Sequence, residues 1–510
     1  MTGMTFLGIT MVLALVLLVG FFSGRRIKSA KDFLTGGGSG SFMVSGAIMG
    51  SLVSSQATIG TAQMAFQYGI AAWWFTLGAG IGCLILALFY VRPLREAGCV
   101  TELQIISASY GKTTESLGSV LSSAGTFFSV LSQVIACSGL MSVLFPGVSP
   151  AAATFVSVAV MCLYVIFGGV FSMGMGGMCK LLLLYLAGIS GLVLTLSLSG
   201  GISSLAGQLR HLLAGTDLGL IQESVSLPVL RTGADVTARF GNILARGAAK
   251  DLGSGFSLML GVLSTQTYAQ AVFSAKNHTA ARNGALISAF LTPPLGIAGI
   301  AVGIFMRTRF ITQAEADALL AAGRSVPDMP VLAGTIQAFP VFAIEYLPPV
   351  IAGFVLGALL LSAIAGGAGL SLGIATVMLK DIFRRVTNRI DTSGKELAVT
   401  RGCIALVLGI AALCAILMPG STINDFGFLS MGLRGTVIFM PLSCALWLKE
   451  RVDSRFVLAS ILCAPVTVIL CRILVKGIDP LIPGMVVSVL CCLCGVLFSA
   501  RRKRGPQCPA

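Results

Sequence analysis

Residues 45–66 read SGAIMGSLVSSQATIGTAQMAF, with Gly46, Gly50 and Gly60 interleaved among Ser51, Ser54, Ser55, Gln56, Thr58, Thr61 and Gln63. In an apolar run, that mixture can break a helix and turn carbonyls and hydroxyls toward a ligand. Irregular backbone of this kind is tolerated in an apolar medium only where it is buried or lines a cavity. The alternative is a helix of small residues built for tight packing. A second run, GSGFSLMLGVLSTQTYAQ at 253–270, has the same character. Ser54, Ser55, Gln56 and Thr58 follow the expected break and form the expected solute lining. Gln266 and Gln270 face them from the second run, and part of the set only caps backbone groups freed by the break.

Arg434 stands inside FLSMGLRGTVIF. A guanidinium can hold a carboxylate through two parallel hydrogen bonds. It can equally pair with Asp425 or Glu345, or extend toward an interface. Arg472 reads as an interfacial anchor of that last kind, and Trp73, Trp74 and Trp447 as an interfacial aromatic belt. Enzymatic chemistry is excluded: no apolar run holds paired carboxylates or a Ser–His arrangement, and His211 and His278 lie outside the runs. Most of the fourteen cysteines sit in apolar runs and read as small buried hydrophobes. Cys491, Cys492 and Cys494 have no histidine nearby to complete a metal site.

The elements that must position these groups follow from composition. The chain has 510 residues, 56% hydrophobic and 10% charged. A soluble domain carries about 25% charged residues, so this chain cannot coat soluble surfaces and reads as an all-α integral membrane protein. Thirteen segments can span a bilayer as helices: 5–23, 41–66, 72–94, 116–145, 150–168, 178–200, 249–272, 283–306, 346–379, 400–418, 424–448, 454–474 and 480–500. The first is not a signal peptide, because Arg25 and Arg26 follow its apolar core instead of preceding it.

The net charge of +15 fits this reading better than it fits nucleic-acid binding. Arg25, Arg26, Lys28 and Lys31 fall in one set of loops. So do Arg92, Arg95 and Lys112; Lys276 and Arg282; Lys380, Arg384, Arg385, Arg389 and Lys395; Lys449, Arg451 and Arg455; and Arg501 to Arg504. The opposite linkers 67–71, 146–149 and 419–423 carry no Lys or Arg, and the long loops 201–248 and 307–345 are poor in them for their length. Basic loops stay in the cytoplasm, which places the N-terminus outside and the C-terminus inside, as an odd number of spans requires. The two Gly-interrupted segments are five spans apart, so segments 2–6 and 7–11 form inverted repeats. Paired broken segments in corresponding halves point to a secondary-transporter site.

Several short motifs fall in a familiar order. Ser29-Ala30-Lys31-Asp32-Phe33-Leu34-Thr35-Gly36-Gly37 follows the first segment, and Thr58-Ile59-Gly60 lies in the second. Then come Tyr68-Gly69-Ile70-Ala71-Ala72-Trp73-Trp74, Arg92-Pro93-Leu94-Arg95, Thr101-Glu102-Leu103, Tyr110-Gly111 and Gly168-Gly169. Gln270 with Ser274-Ala275-Lys276 and Lys380-Asp381-Ile382-Phe383 complete the set. Over roughly 25–450 this order resembles the sodium:solute symporter family. Ser109 and Ala271 stand where that family usually has Arg.

The resemblance implies the five-plus-five inverted-repeat fold of the leucine-transporter type. One helix precedes 41–200, the first repeat, and 454–500 adds two helices after 249–448, the second. It also implies uphill uptake of a solute by alternating access, coupled to sodium. The family's ion sits between span 2 carbonyls, here Gly50 and Val53, and a hydroxyl pair on span 9. Anchoring on Asp381 puts that pair at Ala365 and Gly366, which have no side-chain oxygen; Ser362 is one turn earlier. Without it the cation keeps about three backbone ligands, too few for a hard ion. The family's frequent acidic residue on span 6 is here Gly177, and one turn deeper stands Lys180. An ammonium there would replace the sodium charge, and its proton would replace the sodium cycle. Alternatively Lys180 snorkels to the cytoplasmic face.

The expectation is a monomeric, multi-pass cell-membrane importer of a small polar organic solute, of sodium:solute symporter type. Its only partners are the solute and the lipid bilayer, and it uses no cofactor or metal beyond Na+ or H+ as coupling ion. A proton-coupled or uncoupled transporter with Lys180 in place of sodium, or a channel-like or receptor protein on the same fold, are the alternatives.

Overall fold

The computed structural model describes residues 3–24, 38–145, 147–379, 393–417, 422–475 and 477–503. The motifs at 29–37 and 380–383, and the basic loop residues beside them, lie outside the described residues. Fifteen helices carry the argument. They are α1 (Gly3–Gly24), α2 (Ser41–Leu52), α3 (Thr61–Tyr68), α4 (Trp74–Ile85), α5 (Glu102–Tyr110), α6 (Lys112–Leu144), α7 (Pro150–Ser199) and α8 (Ala248–Val262). They continue with α9 (Gln266–Ser274), α10 (His278–Arg309), α11 (Pro349–Val377), α12 (Ser393–Leu417), α13 (Ile423–Ser443), α14 (Ser454–Leu474) and α15 (Leu481–Lys503).

Among the described residues, nine helices are long and apolar enough to cross a membrane, and three shorter apolar helices accompany them. Large side chains on their outer faces meet no protein. On α7, Leu182, Leu186, Ile189 and Val193 recur at helical spacing and are each more than half exposed. A continuous apolar stripe of that kind would be an aggregation site in water, whereas lipid covers it without cost. The centre of the bundle is α11: 83% of its apolar window is buried, against 28% in α12 and α15.

Helix occupies each of the thirteen predicted segments, with one difference in layout. Segments 150–168 and 178–200 run as a single 50-residue helix, α7. The junction Gly168-Gly169 costs a helix about 1 kcal/mol per glycine, but no proline there forces a stop. At 1.5 Å per residue the helix is about 75 Å long, more than one crossing of a ~30 Å core needs. Its two apolar windows, Pro150–Val165 and Gly176–Ser199, keep the identities of the two segments.

Both polar, glycine-rich runs are interrupted, as their composition predicts. The first breaks after α2: Val53 leaves helical geometry (φ −82°, ψ 81°), and a wide π-turn at Gln56–Gly60 leads into α3. The second breaks between α8 and α9, where Thr265 is extended (φ −114°, ψ 113°).

Two clusters of loop contacts hold the ends of these helices. In one, helices within 202–240 and the segment 311–321 share a small apolar core of Leu209, Leu213, Phe240, Ile311 and Leu319. Arg307 there forms a two-pronged ion pair with Glu315 (2.7 and 2.8 Å), and Gln222 Nε2 donates to the same carboxylate. Arg239 Nε donates to the Gln67 carbonyl (2.6 Å), capping the end of α3. Gly69 follows, with φ +56°, and a Cβ on it would lie 2.1 Å from the Phe240 carbonyl oxygen. Only glycine fits there, which gives the Tyr68-Gly69 motif a steric reason. In the other, Arg95 Nη1 donates to the carbonyls of Val272 (2.8 Å) and Ala275 (2.7 Å), and Tyr110 Oη donates to Lys449 O. Arg95 thereby joins the segment leading to Lys276, and Tyr110 the turn at Lys449; the predicted basic loops at 25–31 and 380–392 lie outside the described residues.

Candidate functional site

The break after α2 is held by α6. Ser55 donates through its backbone N–H (3.1 Å) and its Oγ (2.5 Å) to Gln133 Oε1, and Gln133 Nε2 donates to Ser54 Oγ (2.9 Å). Gln56 Nε2 donates to Ser132 Oγ (2.6 Å). Thr58 Oγ1 donates back to the Ser54 carbonyl (3.3 Å), so it caps backbone freed by the break. The structure thus brings Ser54, Ser55 and Gln56 together and adds Ser132 and Gln133, which the sequence reading missed. Gln133, fully buried, sits in SVLSQVIAC; an amide in an apolar run was the available signal.

α11 closes this centre with small residues. A Cβ on Gly366 would lie 2.7 Å from Ser54 Cβ and 3.0 Å from Gln133 Oε1. A hydroxyl-bearing side chain therefore has no room where the family carries one. From α13, a Cβ on Gly427 would come 2.8 Å from Gln56 Nε2. Ala365 is buried without an oxygen, and Ser362, also buried, reaches the Val53 carbonyl at 3.5 Å.

The position expected for a coupling cation is engaged by the protein itself. Lys180 is 1% exposed, and its Nζ donates to the Gly50 carbonyl. It does not snorkel to an interface. Gly177 makes this approach possible: a Cβ there would lie 1.9 Å from the Gly46 carbonyl oxygen and 3.0 Å from Gly50 Cα. α7 and α2 touch backbone to backbone. The donor set is then one carbonyl already bonded to an ammonium, the Val53 carbonyl and the Ser362 hydroxyl. That set does not fit a sodium ion, which needs about six oxygens and no cation beside it.

Gln266 does not face the break after α2. Its Nε2 donates to Val100 O (2.9 Å) and its Oε1 accepts from the Glu102 N–H (3.1 Å). It ties α9 to the loop leading into α5, because α9 starts one residue later than the break and points its first turn at that loop. Gln270 is buried on the same helix.

Arg434 is 1% exposed, and the structure pairs it with neither Asp425 nor Glu345. Its Nη1 donates to Thr265 Oγ1 (2.8 Å) at the α8–α9 break, its Nη2 to Ser430 Oγ (3.1 Å) and Ser129 Oγ (3.3 Å), and its Nε to Ser430 O (3.2 Å). Asp425 instead accepts from Thr422 Oγ1 and lies 4.0 Å from the half-exposed Arg472. The aromatic belt is mixed. Trp447 is half exposed, whereas Trp73 and Trp74 donate to Pro293 O (3.0 Å) and Ile243 O (2.8 Å). Beside Arg434 and the α8–α9 break lies a cavity of about 20 Å³, lined in part by Glu102, Ser123, Ser264 and Thr267.

These features can be set beside known proteins. The model of the "Sodium:solute symporter family" matches residues 33–460. The uncharacterized symporter YwcA of Bacillus subtilis (strain 168) is 27% identical over 160 residues, 31% of this chain and 31% of that protein. The high affinity choline transporter 1 of Homo sapiens is 24% identical over 446 residues, covering 85% of this chain and 71% of the transporter. Its Torpedo marmorata counterpart is 23% identical, covering 76% of this chain and 62% of its own. Among solved structures, a substrate-bound, outward-open Na+-coupled sialic acid symporter superposes with a TM-score of 0.73 at 16% identity, over 98% of both chains. Mhp1, a nucleobase-cation-symport-1 family transporter in a closed conformation, gives 0.53 at 13% identity, over 92% of this chain and 94% of its own. Both share the inverted-repeat transporter fold.

Proposed function

The chain belongs to the sodium:solute symporter family, and on that premise we propose that it is a secondary-active importer of a small polar organic solute in which Lys180 takes the place of the coupling sodium. The contact of the buried Lys180 ammonium with the Gly50 carbonyl carries this reading. The family implies sodium, but here Ala365 and Gly366 offer no hydroxyls and a fixed cation stands between α7 and α2. Transport is then driven by a proton that leaves and rejoins Lys180, or runs down the solute gradient alone.

The repeats 41–200 and 249–448 supply the two breaks, so one chain holds the whole path. The solute binds where Ser54, Ser55, Gln56 and Gln133 meet, after those groups release one another. The basic loops support a cell-membrane topology with the N-terminus outside and the C-terminus in the cytoplasm.

A ligand-dependent melting screen of the purified protein identifies the solute. Its uptake into proteoliposomes under imposed gradients then decides the coupling. Replacing sodium with potassium leaves uptake largely intact, and Lys180→Ala abolishes accumulation. Strict sodium dependence in the unmodified protein overturns the lysine reading. Flux at open-pore rates without accumulation overturns the carrier reading.

A further inference from the structure

We propose that the cavity between Glu102 and Arg434 is a carboxylate site at the inner mouth of the transport path, which takes a small monocarboxylate together with one proton. The anion is held by Arg434 and the proton by Glu102. This deepens the transporter reading and rests on it, by naming a solute class and a proton that Glu102 takes up with the solute, separate from the one at Lys180.

The cavity is large enough for about one water. Of the six buried side-chain oxygens without a hydrogen-bond partner among the described residues, four belong to residues lining it: Glu102 Oε2, Ser123 Oγ, Ser264 Oγ and Thr267 Oγ1. Unpartnered groups of this kind are costly to bury, about 1–3 kcal/mol each, and four around one cavity mark a place built for a ligand. Two charged side chains, Glu102 and Arg434, line it. Both are nearly inaccessible, at 2% and 1% exposure, yet among the described residues they form no ion pair with each other.

Charge selects the ligand. Arg434 stays protonated and is fixed by Thr265, Ser129 and Ser430. A lone cation would have to sit beside it. A lone anion, added while Glu102 is ionised, would leave the site at −1 in a low-dielectric interior, which costs several kcal/mol. An anion that arrives with a proton leaves the sum at zero. Above its pKa, Glu102 is the counter-ion of Arg434 in the empty site; once Glu102 is protonated, the bound carboxylate takes that place.

The donors agree with this. Arg434, the three hydroxyls and a protonated Glu102 can all donate to a carboxylate, and the first turn of α9 begins at Gln266 beside them. Glu102 lies on α5, outside the spans, where burial pushes its carboxyl up to about 8 while Arg434 pulls it down less strongly. Tyr90 and Tyr268 are the other titratable side chains that the field of this pair reaches. The latch described above, Gln266 to Val100 and Glu102, keeps the cavity at one water, so the site admits solute when those two bonds part.

The test uses the purified full-length protein, with acetate, pyruvate and lactate as anionic probes, acetamide as the neutral probe and choline as the cationic one. Melting is followed from pH 6 to 9. At least one monocarboxylate raises the melting temperature, and its affinity falls about tenfold per pH unit above the Glu102 pKa, the slope of one linked proton. Glu102→Gln mimics the protonated acid, so it keeps the binding and loses the slope. Arg434→Gln loses the binding. If that variant does not remain monodisperse, Arg434→Lys answers instead, with weaker binding and an unchanged slope. Protection by choline or acetamide equal to that by the carboxylates, no protection by any carboxylate, or a full slope in Glu102→Gln overturns the site. Those results leave the transporter reading to be judged separately by uptake.

Discussion

Replacing Lys180 with methionine separates the two roles a buried ammonium can have. The side chain is 1% exposed, and its Nζ donates to the Gly50 carbonyl. Burying an ammonium costs several kcal/mol after relaxation, and a hydrogen bond from a charged donor returns about 1.5–3 kcal/mol. Methionine keeps most of the volume, removes the charge and leaves the Gly50 carbonyl unbonded, at a cost of about 1–3 kcal/mol. The balance is a variant as stable as the parent or more stable by about 1–3 kcal/mol, the range seen when buried charges become apolar groups. Function moves the other way: solute still binds, but it no longer accumulates. Thermal or denaturant unfolding in detergent measures the first quantity and proteoliposome uptake the second. A loss of more than about 2 kcal/mol would show that the lysine is a net structural anchor. Unchanged accumulation would show that it does not couple.

Gly177→Ala tests the same contact from the side of packing. Its Cβ would meet the Gly46 carbonyl oxygen at 1.9 Å, backbone that cannot step aside, so overpacking of about 1–3 kcal/mol and loss of uptake are expected; a thermal melt together with uptake checks both. Gln133→Ala removes three hydrogen bonds to Ser54 and Ser55, worth about 1 kcal/mol each, and should both destabilise the protein and weaken solute binding in the melting screen. Burial alone would raise the Glu315 carboxyl, but Arg307, with Gln222 and the Thr312 N–H, outweighs this and holds it at about 2. A depressed carboxyl contributes stability that is present above its unfolded value near 4.3 and lost as pH falls toward 2. The stability difference between the parent and Glu315→Gln should therefore stay constant at about 3 kcal/mol from pH 7 to about 5 and shrink below about 4.

The spans were legible because a membrane helix announces itself through an unbroken apolar run, and the two breaks because Gly, Ser and Thr interrupt such runs where nothing else would. Lys180 was visible as a departure from a family pattern, but its partner was not: a side chain's reach across 130 residues depends on Gly177, and a glycine records only that something is close. Gln266 was assigned to the wrong neighbour for a related reason. Its helix was placed correctly, but the break ends at Thr265, and one residue of register turns the amide from the first break toward Val100. Glu102 escaped notice because it stands in a loop motif, and a loop carboxylate is ordinarily solvated. Its burial follows from α5 packing against α6 and α13, with the Gln266 amide over its first turn. The Arg307–Glu315 pair was half written in the sequence, since Thr312 and Glu315 form a capping box.

The grip of Arg239 on the end of α3 has a mechanical consequence. Alternating access requires the outer part of a broken helix to change its angle to the bundle. Here that part ends in a carbonyl clasped by an arginine, which also bonds Gln222 (3.1 Å), and Gln222 bonds Glu315 and through it Arg307 at the end of α10. The loops at 202–240 and 311–321 are therefore geared to α3 and do not simply shelter it. A binder that clamps the exposed surface of the 202–240 loop would act as a brake on the transport cycle without approaching the solute.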